Sequence, residues 1–256
     1  MLVTGAASGL GRAFAEACAR EGARLVLMDR DEAKLAEAAG PLAEIAPDVS
    51  AYIMDVSLPS SVAEAFGRVD ELHEVDAAFL NAGINGGLGM RLPDGHIDAL
   101  PHDTWRKVMG VNLDGTFYTL QRISAHMKRR KTGSIIVTGS TAGVRPEPFV
   151  SYAYVTSKAA VHALATQAAL ELVKHGIRVN VIAPGPVRTN IAGGPLPAEK
   201  TAMWEKTIPM GRFADPSEFA GLAVLLASEE SSFMTGATFR VDGGASILTQ
   251  LRADEF

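Results

Sequence analysis

Thr4-Gly5-Ala6-Ala7-Ser8-Gly9-Leu10-Gly11 follows directly on the apolar start Met1-Leu2-Val3 and leads into the helical stretch Arg12 to Glu21. An apolar run, a glycine-rich turn and a helix, in that order, mark a strand handing its chain to a helix. Gly5, Gly9 and Gly11 let the backbone come close to an anion, and the helix N-terminus offers unpaired N–H groups to receive its charge. Ser8 and Leu10 fill out the same turn. The spacing departs from the G-x-G-x-x-G fingerprint of dinucleotide sites, so the glycines alone fit a plain tight turn as well as a pyrophosphate cradle.

Beyond this opening lie six further apolar, β-branched runs: Ala23 to Asp29, Val49 to Val56, Val75 to Asn81, Gly133 to Ser140, Ile177 to Ala183 and Thr238 to Asp242. Helical patterns separate them. This alternation predicts an α/β fold, a Rossmann-type, doubly wound parallel sheet of about seven strands with helices on both faces. The runs are almost continuously apolar, as expected of strands covered on both sides. Without repeat or linker, residues 1–256 read as one domain. Only about three residues precede the first turn, against a usual strand of five or six, so either the strand is short or N-terminal residues are missing.

Composition narrows the functional classes. Of 256 residues 47% are hydrophobic, and 24 Lys and Arg against 29 Asp and Glu give a net charge of -5. That balance does not suggest a nucleic-acid surface. Cys18 is the sole cysteine, in the apolar run Phe14 to Ala19, and reads as a buried small hydrophobe. No basic leader or membrane-length apolar segment is visible, and the expectation is a cytoplasmic protein with no membrane partner. The helix from about Tyr154 to His175 is apolar on more than one side, which predicts a second subunit against the side that does not cover the sheet, in a homo-oligomer.

In open α/β sheets, ligands bind beyond the carboxyl ends of the strands. Gly5, Asp29, Asp55, Asn81, Ser140 and Pro184-Gly185 all fall there. Asp29 can hydrogen-bond a ribose 2′-hydroxyl and repels a 2′-phosphate, so NAD is the preferred cofactor. Arg30 beside it offers a phosphate-binding guanidinium, which keeps NADP open. Tyr154 and Lys158 stand four apart, on one helix face. A unit charge roughly 5 Å from the phenol, at an effective dielectric of about 20, would favour phenolate by about 3 kcal/mol. Tyr154 is therefore expected to exchange protons near neutral pH. Tyr152 lacks such a neighbour, because residue 156 is threonine.

As a set, these residues resemble the short-chain dehydrogenase/reductase family in its classical form. The resemblance runs from Leu2 to about Gly244 and rests on TGAASGLG, Asp55-Val56, Asn81-Ala82-Gly83, Asn112, Ser140, Tyr154-x-x-x-Lys158, Asn180, Pro184-Gly185 and Val241-Asp242-Gly243-Gly244. It implies a catalytic tetrad of Asn112, Ser140, Tyr154 and Lys158, with Tyr154 as general acid in carbonyl reduction and base in alcohol oxidation. Ser140 would hydrogen-bond the substrate oxygen. Lys158 would lower the Tyr154 pKa and hold the nicotinamide ribose, and Asn112 would position a relay water. Asp55 and Val56 would meet the adenine, Asn81, Ala82 and Gly83 the adenosine side, and Val187 and Thr189 the carboxamide. The implied activity is NAD(P)-dependent interconversion of a small secondary alcohol and its ketone by hydride transfer, in a tetramer. An NADPH-dependent 3-oxoacyl-thioester reductase and a catalytically silent dinucleotide-binding scaffold are the rival readings.

The span from residue 190 to residue 212 resembles a substrate lid, with Ile191, Met203, Trp204 and Met210 as an apolar wall. Arg145 and Glu147 are expected on the other side of the site, and the segment 86–101 at its entrance. His96, Asp98, His102 and Asp103 have metal-ligand chemistry but sit among glycine and proline and read as a solvated loop, so no metal is expected. Lys128-Arg129-Arg130-Lys131 reads as a solvated helix end, with a dock for an acidic carrier protein as the alternative.

Overall fold

The computed structural model describes residues 1–87, 89–189, 191, 194 and 198–247. Its strands and helices alternate as β1 (Leu2–Thr4), α1 (Gly9–Arg20), β2 (Leu25–Asp29), α2 (Glu32–Ala43), β3 (Val49–Ile53), α3 (Pro59–Leu72) and β4 (Ala77–Leu80). After β4 come α4 (His102–Met109), α5 (Gly115–Arg130), β5 (Gly133–Thr138), α6 (Tyr152–Leu172), β6 (Ile177–Pro184), α7 (Ala198–Glu205), α8 (Ala220–Ala227) and β7 (Thr238–Val241). All seven strands lie in one parallel sheet in the order β3-β2-β1-β4-β5-β6-β7. Chain order reverses between β1 and β4. In doubly wound sheets a ligand crevice opens at that point.

The two-residue period of the strands sorts the core into two layers. Leu2, Val26, Ala78, Leu80, Ile135 and Val137 face α3, α5 and α6, where Phe66, Ile123 and Val161 meet them. Their sequence neighbours Val3, Leu27, Phe79 and Ile136 face α1, α2 and α8, where Phe14, Leu35 and Leu226 meet them. Cys18 is buried in this second layer, and burial raises its thiol pKa to about 11. Strand β1 is indeed short, yet all three of its residues are buried and it pairs with both β2 and β4.

Two helix starts differ from the sequence reading. Helix α1 begins at Gly9 rather than Arg12, so Gly9 and Gly11 lie in its first turn. Helix α6 begins at Tyr152 because Ser151 caps it, its hydroxyl accepting from the Tyr154 amide at 3.2 Å. Along α6, Val161, Ala165, Ala169 and Leu172 pack on the sheet, while Leu170 is 73% exposed.

The basic run closes α5 and is matched by acids on neighbouring elements. Lys128 pairs with Glu171 at 2.6 Å, Arg130 with Asp76 at 2.8 Å, and Arg129 with Asp70. Lys131 ends the helix in the left-handed region, at φ 57°. Three of the four cations are thus used within the chain, which disfavours a carrier-protein dock there.

Candidate active site

The carboxyl ends of the strands line a cleft of about 1210 Å³. Gly5, Ser8, Gly9, Leu10, Asp29, Arg30, Asp55, Val56, Asn81, Ala82 and Gly83 lie along it, together with Ser140, Tyr154, Lys158, Pro184, Gly185, Val187 and Thr189. Of the catalytic and cofactor-binding residues named from sequence, Gly11 and Asn112 do not face it, and both act from behind; Arg145, expected to line the substrate side, does not face it either. A Cβ on Gly11 would stand 2.1 Å from the Gly5 carbonyl oxygen, so only glycine allows the turn to fold against α1. Gly5 itself has φ +66°.

Asp29 has a structural duty besides its place at the rim. Its carboxylate accepts from the Ala7 amide at 3.1 Å and from the Asp31 amide at 3.1 Å, tying the end of β2 to the glycine turn. Asn81 does the same for β4: its amide nitrogen donates to the Thr4 and Gly5 carbonyls at 3.3 and 3.4 Å, and its Oδ1 accepts from Thr138 at 3.1 Å. Asp55 is committed to Ser57, accepting from its amide and hydroxyl at 2.9 and 2.6 Å. These bonds hold the turns in register. The residues fit a dinucleotide: a cradle that a single Cβ would fill, a helix N-terminus and an acid at the end of β2 line one crevice.

At the other end of the cleft stand Ser140 and Tyr154. Ser140 follows β5 and caps the turn Thr141–Gly143, its Oγ accepting from Ala142 N at 3.1 Å, and its hydroxyl acts on the Tyr154 phenol. Lys158, one turn after Tyr154 on α6, donates from Nζ to the Thr138 carbonyl at 2.7 Å, and its Nζ lies 5.8 Å from the Tyr154 ring centre. Both side chains are buried, and burial acts against the charged form of each. It lowers Lys158 to about 8. It also raises the Tyr154 phenol above its usual value; the Ser140 hydroxyl works against that rise and the Glu147 charge adds to it. The expectation that Lys158 brings Tyr154 towards neutrality is therefore corrected: the ammonium is held by Thr138, and desolvation dominates.

Asn112 is fully buried in a π-helical turn, Gly110–Asp114, between α4 and α5. Its side chain clamps Ile84, accepting from N at 2.8 Å and donating to O at 2.9 Å, and it also donates to Ser157 Oγ at 3.0 Å. Irregular turns of this kind frequently mark functional sites. Here the turn links the loop after β4 to α6, one residue before Lys158. Asn180, part of the same resemblance, is used inside the fold, donating to Met234 O at 2.7 Å and accepting from Ala237 N at 3.1 Å.

Sequence reading missed three supports. His162 Nε2 accepts from the Ser140 amide at 3.3 Å, Thr138 holds Lys158, and Ser151 ties α6 to the Asn85 carbonyl at 2.8 Å. The S-x-x-Y spacing at Ser151 was a readable cap signal, whereas the other two depend on long-range pairing. In the apolar wall, Trp204 and Ile191 line the cleft as expected. Met203 and Met210 do not line it; both are exposed, and the remaining wall comes from Phe149, Val150 and Phe213. Trp204 stacks on Phe149, with ring centres 4.8 Å apart. Arg91, from the segment at the expected entrance, covers the Phe149 ring at 4.5 Å. Residues 190, 192, 193 and 195–197 of the expected lid lie outside the described residues. Among the described residues, no group of three or more His, Cys, Asp or Glu is placed to hold a metal ion, and no helix is long and apolar enough to cross a membrane. His96, Asp98, His102 and Asp103 are exposed.

The profile of a family described as enoyl-(acyl carrier protein) reductase matches residues 5–246. A short-chain type dehydrogenase/reductase from Mycobacterium marinum superposes with a TM-score of 0.88 at 34% identity, covering 95% of this chain and 94% of that one. This chain belongs to the short-chain dehydrogenase/reductase family. A galactitol 2-dehydrogenase of Agrobacterium fabrum is 37% identical over 258 residues, 95% of each chain. A 3-oxoacyl-[acyl-carrier protein] reductase from Brucella melitensis, solved with bound NAD, has a TM-score of 0.85 at 34% identity, covering 96% of this chain and 90% of its own. The protein is accordingly an NAD(P)-dependent oxidoreductase that interconverts alcohols and ketones.

Proposed function

We propose that the protein is an NAD-preferring dehydrogenase of small polyols, oxidising one secondary hydroxyl to a ketone with Tyr154 as the proton-transfer group. The observation that carries this reading is that Ser140, Tyr154 and Lys158 line one cleft with the glycine turn and Asp29. The galactitol dehydrogenase relative supports the substrate class.

When bound, the nicotinamide cofactor supplies the hydride acceptor for oxidation and the hydride donor for reduction. Gly5, Ser8, Gly9 and Leu10 would hold its pyrophosphate, Asp29 its adenosine ribose, Asp55 and Val56 its adenine, and Val187 and Thr189 its carboxamide end. Ser140 donates to the substrate oxygen, which stabilises negative charge there. Tyr154 then exchanges a proton with the same oxygen, giving it in reduction and taking it in oxidation. Lys158 fixes the floor of the site through Thr138, and Asn112 positions α6 against the loop after β4. One domain carries both sites, with Ile191 and Trp204 at the substrate end. Exposed Phe117 on α5 and Leu170 on α6 support a homo-oligomer, a tetramer by family resemblance.

Arg30 lines the cleft beside Asp29 and favours a second reading, with NADP and an oxoacyl thioester. Fluorescence titration with NADH and NADPH separates the two. The proposal expects NADH to bind more tightly and galactitol to be turned over; tighter NADPH with turnover of an oxoacyl thioester alone would replace it.

A further inference from the structure

Glu147 is the unusual group in the substrate end of the cleft. Its side chain is only 6% exposed, it lines the cleft, and its charge reaches the Tyr154 phenol. A carboxylate offers about four acceptor positions. Arg145 Nη2 occupies one on Oε2 at 3.0 Å and the Phe149 amide one on Oε1 at 3.3 Å. About two acceptor positions remain. The guanidinium groups of Arg145 and Arg91 both act on this carboxylate, and neither lines the cleft.

Asn85 supplies a second, independent observation. It lines the same cleft, is 8% exposed, and its Oδ1 is buried with no hydrogen-bond partner. Its backbone is fixed, the carbonyl accepting from Ser151 Oγ at 2.8 Å and the amide donating to Ile191 O at 3.4 Å. A buried acceptor left unmatched is destabilising, so its presence at a cleft wall calls for a donor from the ligand. Phe149 and Trp204 close the rest of the wall with apolar surface.

We propose that Glu147 and Asn85 form a hydroxyl-reading subsite beside the reacting carbon, which selects neutral polyhydroxylated alcohols over carboxylates and over alcohols lacking neighbouring hydroxyls. The proposal rests on the dehydrogenase reading above and adds to it the residues that set specificity. Burial raises the Glu147 pKa, and a hydroxyl can bond to either protonation state, accepting from the acid or donating to the carboxylate. A carboxylate substrate would meet repulsion from the ionised form.

The test uses the whole protein with two readouts: calorimetric binding of galactitol in the presence of NADH, and kcat/KM with NAD for galactitol and for cyclohexanol. Glu147→Gln and Asn85→Ala are compared with the parent, and thermal melts check that each is folded. The expected result is a loss of about ten- to hundredfold in galactitol kcat/KM for Glu147→Gln, mainly through KM, with weaker galactitol binding. Loss of the Glu147 charge acts on Tyr154 with either alcohol, so the quantity that reads the subsite is the ratio of the two kcat/KM values, which should shift against galactitol by about tenfold or more. Asn85→Ala, which leaves Arg145 paired, should lower galactitol affinity in the same sense. Equal losses on both alcohols, or galactitol binding unchanged in both variants, would overturn the subsite. Galactitol binding that falls in the variants, in a protein that turns over neither alcohol, would support the subsite and overturn the dehydrogenase reading. Cyclohexanol turnover without galactitol binding would do the reverse.

Discussion

Lys158 is held at a cost to the fold that pH should reveal. Its pKa falls from 10.5 to about 8 because it is buried. A shift of that size corresponds to about 3 kcal/mol against the charged form. The native state releases the Lys158 proton more readily than the unfolded chain, so the penalty is absent well above pH 10.5, grows as pH falls, and is complete below pH 8. Between pH 9.5 and pH 7 it increases by about 2 kcal/mol. Replacing Lys158 with methionine removes the charge at similar length and also removes the donor to Thr138 O, found at 2.7 Å. That lost bond to a charged donor offsets about 1.5–3 kcal/mol of the gain, so the net effect at pH 7 is small. Its pH dependence is not small. Thermal unfolding of the cofactor-free parent and of Lys158→Met at pH 7 and 9.5 should show the parent gaining on the variant by about 2 kcal/mol at the higher pH, roughly 4–8 °C. A stability difference that stays constant across this range, or that moves in favour of the variant as pH rises, would refute the argument from burial.

Other expectations follow from the same geometry. Gly11→Ala places a Cβ 2.1 Å from the Gly5 carbonyl oxygen, and should destabilise the fold by about 1–3 kcal/mol in denaturant titrations. NADH affinity should fall by at least about tenfold in the same variant. The raised phenol of Tyr154 stays protonated at neutral pH, with little phenolate to act as a base, so alcohol oxidation should climb from pH 7 to 10 while ketone reduction does not; a flat oxidation profile would contradict this. The Cys18 thiol, raised to about 11, carries on the order of 100-fold less thiolate than a free cysteine at the same pH. A thiol reagent at pH 8 should modify it only as fast as the protein unfolds, and rapid labelling of the native protein would show that the packing around α1 is wrong.

The strand runs and the chemistry at their carboxyl ends were legible because both follow local rules. The near-continuous apolar runs of the strands and the glycine turn at residues 5–11 are written within a few residues of where they act. The distribution of Asp29, Asn81 and Ser140 along one edge follows from strand order. Less legible was everything set by pairing across the sheet. The hold of Thr138 on Lys158 joins residues 20 apart in sequence, and that of His162 on the Ser140 amide joins residues 22 apart. The Tyr154 pKa was misjudged for the same reason: the helix repeat places Lys158 near it, but burial and the Glu147 charge depend on the loop after Ser140 and on the helix cap at Ser151. Met203 and Met210 were expected to face substrate on composition alone, whereas Phe149 and Phe213 take that place beside Trp204.

Tyr154 is proposed to move the proton in an alcohol–ketone interconversion. The direct measurement is NADH formation from galactitol by the parent and by Tyr154→Phe, with NADH binding to each followed by fluorescence. The phenylalanine variant is expected to bind NADH within about threefold of the parent and to lose at least about a thousandfold in kcat, the range of a missing general acid or base. Undiminished turnover by Tyr154→Phe would contradict it.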